Sequence, residues 1–148
     1  MGHIRDLIMI DCIVLGDSIA VGTHIQRYEC ISYAEGGINS FQWNKMYSNA
    51  KLTANSVIIS LGSNDHQYVK TESELRKIRQ KVRAAKVYWI LPYGNLKASM
   101  VAIEDIQQTI KKIAGEYGDT IIPITGISRD KIHPTHSGYK EIARVTRE

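Results

Sequence analysis

Ser18, Asn64 and the pair Asp130–His133 are residues whose types and spacing could together carry out nucleophilic chemistry. In "VLGDSIAVG", Ser18 follows the apolar run Ile13-Val14-Leu15 directly after Gly16 and Asp17. Taken locally this tip is ambiguous, because Asp and Ser are also common helix N-caps. A serine hydroxyl becomes a useful nucleophile only beside a base, an acid that orients the base, and donors for the developing oxyanion. The chain holds a candidate for each role. "SRDKIHPTHSGY" sets Asp130 three residues before His133, and "GSND" sets the carboxamide of Asn64 after Gly62. "AEGGINS" offers Gly36 and Gly37, followed by the free N–H groups of a helix start at Ser40.

Whether these residues meet depends on the elements that carry them. Segments at 7–15, 29–35, 56–65, 87–92 and 120–124 read as strands, 56–65 running into a Gly-containing turn and the last near a sheet edge because of Pro123. Between them, 40–50 is a helix capped by Ser40. Residues 70–86 carry Leu75, Ile78, Val82 and Ala85 at helical steps, and 99–114 carry Met100, Ile103, Ile106, Ile110 and Ile113 along one stripe. A final helix spans 135–145. Continuous apolar strands alternating with amphipathic helices imply a parallel sheet covered on both faces, hence a three-layer α/β/α sandwich. In such sheets the reactive groups gather beyond the carboxyl ends of the strands. Ser18, the Gly37–Ser40 turn, Asn64 and the Asp130–His133 loop all follow predicted strands, so they are expected on one rim. That collection is the equipment of a serine hydrolase.

Composition bounds the alternatives. The 148 residues fit one domain, with 43% hydrophobic and 23% charged residues as in soluble globular proteins. No run approaches the roughly 18 apolar residues of a membrane span. The N-terminal segment carries Arg5, Asp6 and Asp11 and lacks a small-residue cleavage site, so a cytoplasmic origin is expected. Cys12 and Cys30 are too few for a disulfide framework and read as buried, reduced thiols. Neighbouring strands would nonetheless bring them within bridging reach. The net charge of +4 is concentrated in "KTESELRKIRQKVRAAK", which reads as a solvated helix face; no nucleic-acid motif accompanies it. His133 and His136 lack a third ligand at metal spacing, so neither metal nor cofactor is expected. His24 and His66 fall in predicted loops near the rim, as surface histidines or as pocket lining. Gly138 and Tyr139 read as packing elements of the last helix.

Three motifs in order, "GDSIAVG", "GSND" and "DKIHP", make the chain resemble the GDSL/SGNH family of serine esterases and lipases, from about residue 13 to residue 145. The resemblance implies a flavodoxin-like fold with strand order 2-1-3-4-5. It also implies a two-step acyl transfer through an acyl-enzyme on Ser18, with His133 as base and Asp130 as its orienter. The oxyanion would be held by the Ser18 N–H, the Asn64 amide and a second-block N–H, from either Gly37 or Ser40. Asp17 and Gly62 would support these turns.

The loops between motifs are short and leave little chain for a lid or deep acyl tunnel. An open cleft and short, acetyl-like acyl groups are therefore expected, on a small molecule, a carbohydrate or a cell-surface polymer. Thioesters and lysophospholipids are the alternative substrates, and a binding or assembly module of the same fold is the alternative class. Neither a dinucleotide fingerprint nor a P-loop is present.

Overall fold

Strand pairing decides where several helical patterns stop. In the computed structural model, which describes residues 10–148, the strands are β1 (Cys12–Gly16), β2 (Ile31–Ala34), β3 (Thr53–Ser60), β4 (Arg83–Leu91) and β5 (Thr120–Pro123). They form one parallel sheet in the order β2-β1-β3-β4-β5. The helices are α1 (Ser18–Gln26), α2 (Ser40–Met46), α3 (Thr71–Lys81), α4 (Ile103–Tyr117) and α5 (His136–Val145). Among the described residues no helix is long and apolar enough to cross a membrane.

The expected sandwich and strand order are present. β1, an interior strand, is buried at every position, as a parallel strand covered on both faces must be. α2, α3 and α4 cover one face, over a core that includes Trp43, Trp89, Leu75, Ile110 and Ile113. α1 and α5 pack together over the other face on Val14, Ile58, Ile90 and Ile122. The two indoles are 0% and 1% exposed and carry much of the apolar burial. Each also finds an acceptor: Trp43 Nε1 donates to the Tyr33 carbonyl and Trp89 Nε1 to Asp119, both at 2.9 Å. β5 lies at the edge, where the missing N–H of Pro123 is tolerated.

Several boundaries differ from the sequence reading. The basic helix ends at Lys81 instead of continuing to 86, because Arg83–Lys86 pair with Thr53–Ser56 and extend β4. Val82 is buried at the helix end, but Ala85 is exposed and belongs to no helical stripe. The fourth helix starts at Ile103; Met100 is 71% exposed and left-handed (φ 59°) after a short 3-10 turn at Lys97–Ser99. α2 stops at Met46, short of residue 50. The first strand starts at Cys12, and the part of the expected run at 7–9 lies outside the described residues.

The cysteines are corrected as well. Cys12 and Cys30 form a disulfide across an 18-residue separation instead of remaining reduced. Adjacency of β1 and β2 brings their Cα atoms to 4.7 Å, within the range a disulfide requires. The bridge sits at the start of β1, four residues before Gly16. Arg27, nearly buried, donates to Cys12 Sγ at 3.4 Å, to Thr146 Oγ1 at 2.6 Å and to Glu29 at 2.8 Å.

Candidate active site

Gly16 starts the turn that carries Ser18. Its φ of +140° lies in a region that L side chains rarely adopt, and the carbonyl of Ser60 occupies the place of a Cβ. The Gly16 carbonyl accepts from Glu35 N–H (3.0 Å) and Asp17 N–H donates to the Ser60 carbonyl (2.9 Å). The Gly16–Asp17 peptide group is thus fastened on both sides, its carbonyl to the end of β2 and its N–H to β3. Asp17 caps α1 by accepting the Ile19 N–H at 3.0 Å, and Ser60 Oγ donates to the same carboxylate oxygen at 3.1 Å. Ser18, at the first helical position, has an N–H that its own helix cannot satisfy.

The Ser18 hydroxyl lies 2.8 Å from His133 Nε2, although 115 residues separate them. His133 Nδ1 lies 2.6 Å from Asp130 Oδ2. The curl that permits this three-residue step is built locally. Lys131 is left-handed (φ 61°), Lys131 N–H donates to the Ser128 carbonyl at 3.1 Å, and Ser128 N–H donates to the His133 carbonyl at 2.9 Å. Asp130 Oδ1 accepts from Ser128 Oγ (2.7 Å), Ile132 N–H (2.8 Å) and His133 N–H (2.9 Å). The His133 side chain and these further donors hold the Asp130 carboxyl well below the usual carboxylate range. Both members of the pair are partly open to solvent, at 40% and 47% side-chain exposure.

Asn64 follows β3 in the Gly62–Asp65 turn, which Gly62 enters at φ +119°. One amide hydrogen of Asn64 goes to the Ile38 carbonyl at 3.1 Å, leaving the other for a ligand. This bond joins the loops after β2 and β3. Asp65 joins them again from beneath: it is fully buried and accepts from Ser40 N–H (2.9 Å), Ser40 Oγ (2.6 Å) and Thr71 Oγ1 (2.7 Å). Ser40 therefore does not fit as an oxyanion donor, since its N–H is engaged by a carboxylate. Gly37 is the other candidate. It is exposed, left-handed (φ 76°), and its N–H has no acceptor among the described residues.

Asp17 stands apart electrostatically. It is 0% exposed, and Oδ2 is buried with no partner. Burial outweighs its hydrogen bonds and pushes its carboxyl up to about 7. Since the unfolded carboxyl titrates near 3.8, the folded state holds this proton through a pH range in which the unfolded chain releases it. Its contribution to stability is thus intact below about pH 4 and declines as pH rises toward 7, by roughly 4 kcal/mol in all. Asp17→Asn is expected to flatten that decline, so urea midpoints of variant and parent should diverge from pH 4 to pH 7. Parallel curves would count against a neutral Asp17.

Several contributors carried no distinct sequence signal. Ser128 has the nearest to one, since a hydroxyl two residues before an aspartate commonly closes a turn. Ser60 and Thr71 reveal their roles only through tertiary contact. Tyr139 packs against Gly22 of α1, and burial together with the Asp17 and Asp130 charges pushes its phenol up to about 12. His24 is not at the rim: its Nε2 bonds the Cys30 carbonyl at 2.9 Å. His66 is exposed after β3, its Nδ1 accepting the Tyr68 N–H at 3.2 Å.

No protein-family model and no curated protein sequence matches the chain. Solved structures share its fold. One, from Bacteroides fragilis NCTC 9343, is described as a candidate acylhydrolase. It is 16% identical with a TM-score of 0.64, over 99% of this chain and 92% of that one. Another is LAE5, described as an alpha/beta hydrolase enzyme from the metagenome of Lake Arreo, Spain. It is 14% identical with a TM-score of 0.59, over 90% of this chain and 91% of that one.

Proposed function

We propose that the chain is a serine hydrolase of the SGNH type that cleaves short-chain acyl esters through an acyl-enzyme on Ser18. The observation that carries this reading is the continuous hydrogen-bonded chain Ser18–His133–Asp130, at 2.8 and 2.6 Å. His133 Nε2 takes the hydroxyl proton as Ser18 Oγ attacks the ester carbonyl, and Asp130 holds the Nδ1–H tautomer and stabilises the imidazolium. Negative charge developing on the carbonyl oxygen meets the N–H of Ser18, the remaining amide hydrogen of Asn64 and the N–H of Gly37. His133 then protonates the departing alcohol. In the second half His133 activates water, which releases the acid and restores Ser18.

The partly exposed dyad favours an open site and small acyl groups such as acetyl, on small molecules or carbohydrate polymers. Acylhydrolase and hydrolase descriptions of structures sharing this fold agree with the reaction class.

A fluorophosphonate probe tests the proposal. The expected result is one adduct, located on Ser18 by mass spectrometry, together with p-nitrophenyl acetate hydrolysed faster than longer-chain esters. No adduct on Ser18 would overturn it. Asn64→Ala is expected to lower kcat by about 10²- to 10³-fold with little change in KM. An unchanged kcat would remove Asn64 from the oxyanion site.

A further inference from the structure

The basic charges of α3 divide between its two neighbours. Arg76 donates to Glu72 within α3 (2.9 Å) and to Glu116 of α4 (2.7 Å), and Arg79 grips Asp119, just beyond α4, at 2.7 and 3.0 Å. Toward α2, Lys77 has only a loose contact with Glu74 and Lys81 only one with the Ser48 carbonyl, both at 3.4 Å. Lys45 of α2 lies 5.6 Å from the centre of the Phe41 ring.

A groove of about 440 Å³ runs between α2 and α3, lined by Phe41 and by these three lysines. Its one carboxylate, Glu74, is turned inward and nearly buried, accepting from Asn44 Nδ2 at 2.8 Å. Phe41 is 48% exposed, and lysine stems add methylene surface around it. Three exposed ammonium groups thus surround an apolar floor against a single, already engaged carboxylate.

We propose that this groove binds an anionic amphiphile, a medium-chain alkyl carboxylate, independently of Ser18. The chain lies along Phe41 and the lysine stems, and the carboxylate sits among Lys45, Lys77 and Lys81. Three lysines against one carboxylate leave a net positive charge that disfavours a neutral or cationic lipid. The apolar floor disfavours a fully hydrated polyanion, which has nothing to cover it. The volume suits one small molecule.

The test is a titration of the ¹⁵N-labelled full chain with decanoate below its micellar concentration, followed by backbone amide shifts. Saturable shifts are expected at Phe41, Asn44, Lys45, Lys77 and Lys81, with Ser18 and His133 unmoved. Decyltrimethylammonium should give none. Lys77→Glu/Lys81→Glu and, separately, Phe41→Ser should each raise Kd about tenfold or more, a change of about 1.4 kcal/mol. Spectra unchanged elsewhere verify folding, and Lys77→Gln/Lys81→Gln is the milder variant should charge reversal unfold the chain. The proposal is overturned by shifts that do not saturate, by an equal response to the cationic amphiphile, or by shifts centred on the Ser18 turn. It is equally overturned if polygalacturonate shifts these residues while decanoate does not.

Discussion

Ser18→Ala is expected to reduce kcat for p-nitrophenyl acetate by about 10⁴-fold or more, because it removes the atom that would form the acyl bond. The same substitution should leave thermal stability nearly unchanged. It deletes one part-buried hydroxyl, while the Gly16–Asp17 peptide group stays bonded to Glu35 and Ser60. Asp130→Asn should cost kcat a comparable factor by a different route. An amide opposite Nδ1 favours the tautomer that leaves Nε2 protonated and unable to act as base. The two variants differ in chemical labelling: Ser18→Ala should lose fluorophosphonate reaction outright, whereas Asp130→Asn keeps the hydroxyl and should react slowly. A Ser18→Ala protein with undiminished esterase activity would sink the mechanism.

Gly16→Ala is the substitution expected to damage the fold most. An added Cβ would lie 1.8 Å from the Ser60 carbonyl oxygen and 2.6 Å from its carbon, both backbone atoms at the carboxyl end of β3, the middle strand of the sheet. Relief requires β1 and β3 to separate or Gly16 to leave its φ of +140°, and either displaces Ser18. Backbone strain of about 1–3 kcal/mol and overpacking of similar size combine to roughly 4 kcal/mol. For a chain of this length that corresponds to a fall in Tm of about 10 °C. Gly36→Ala is the control, since open space surrounds Gly36. Equal melting temperatures for the two variants would show that the close approach at Gly16 is not sustained in solution.

The rim was legible in the sequence because strand ends concentrate unusual residues. Ser18, Asn64 and the Asp130–His133 pair each follow an apolar run, and parallel topology delivers such positions to one side of the sheet. What escaped the sequence depends on pairs distant along the chain. The choice between Gly37 and Ser40 turns on Asp65, 25 residues beyond Ser40, whose carboxylate takes up the Ser40 N–H. The disulfide requires β1 and β2 to be neighbours, which no local pattern around either cysteine states. The end of α3 depends on Thr53–Ser56 offering Arg83–Lys86 a ladder, which overrides a helical periodicity that continues through Ala85.

The turn around Asp130 has a mechanical consequence. Asp130 and His133 share three hydrogen bonds with each other or with Ile132, and Ser128 closes the same short loop from both sides. These bonds tie the His133 ring to Asp130 within one turn, while Ser18 is fastened to the sheet through the Gly16–Asp17 peptide group. Of the two links in the chain of three, the Ser18–His133 link is the one that joins segments distant in sequence. A shift of the 128–133 turn would therefore be felt first at the Ser18–His133 contact, and the His133 ring is the place to read it.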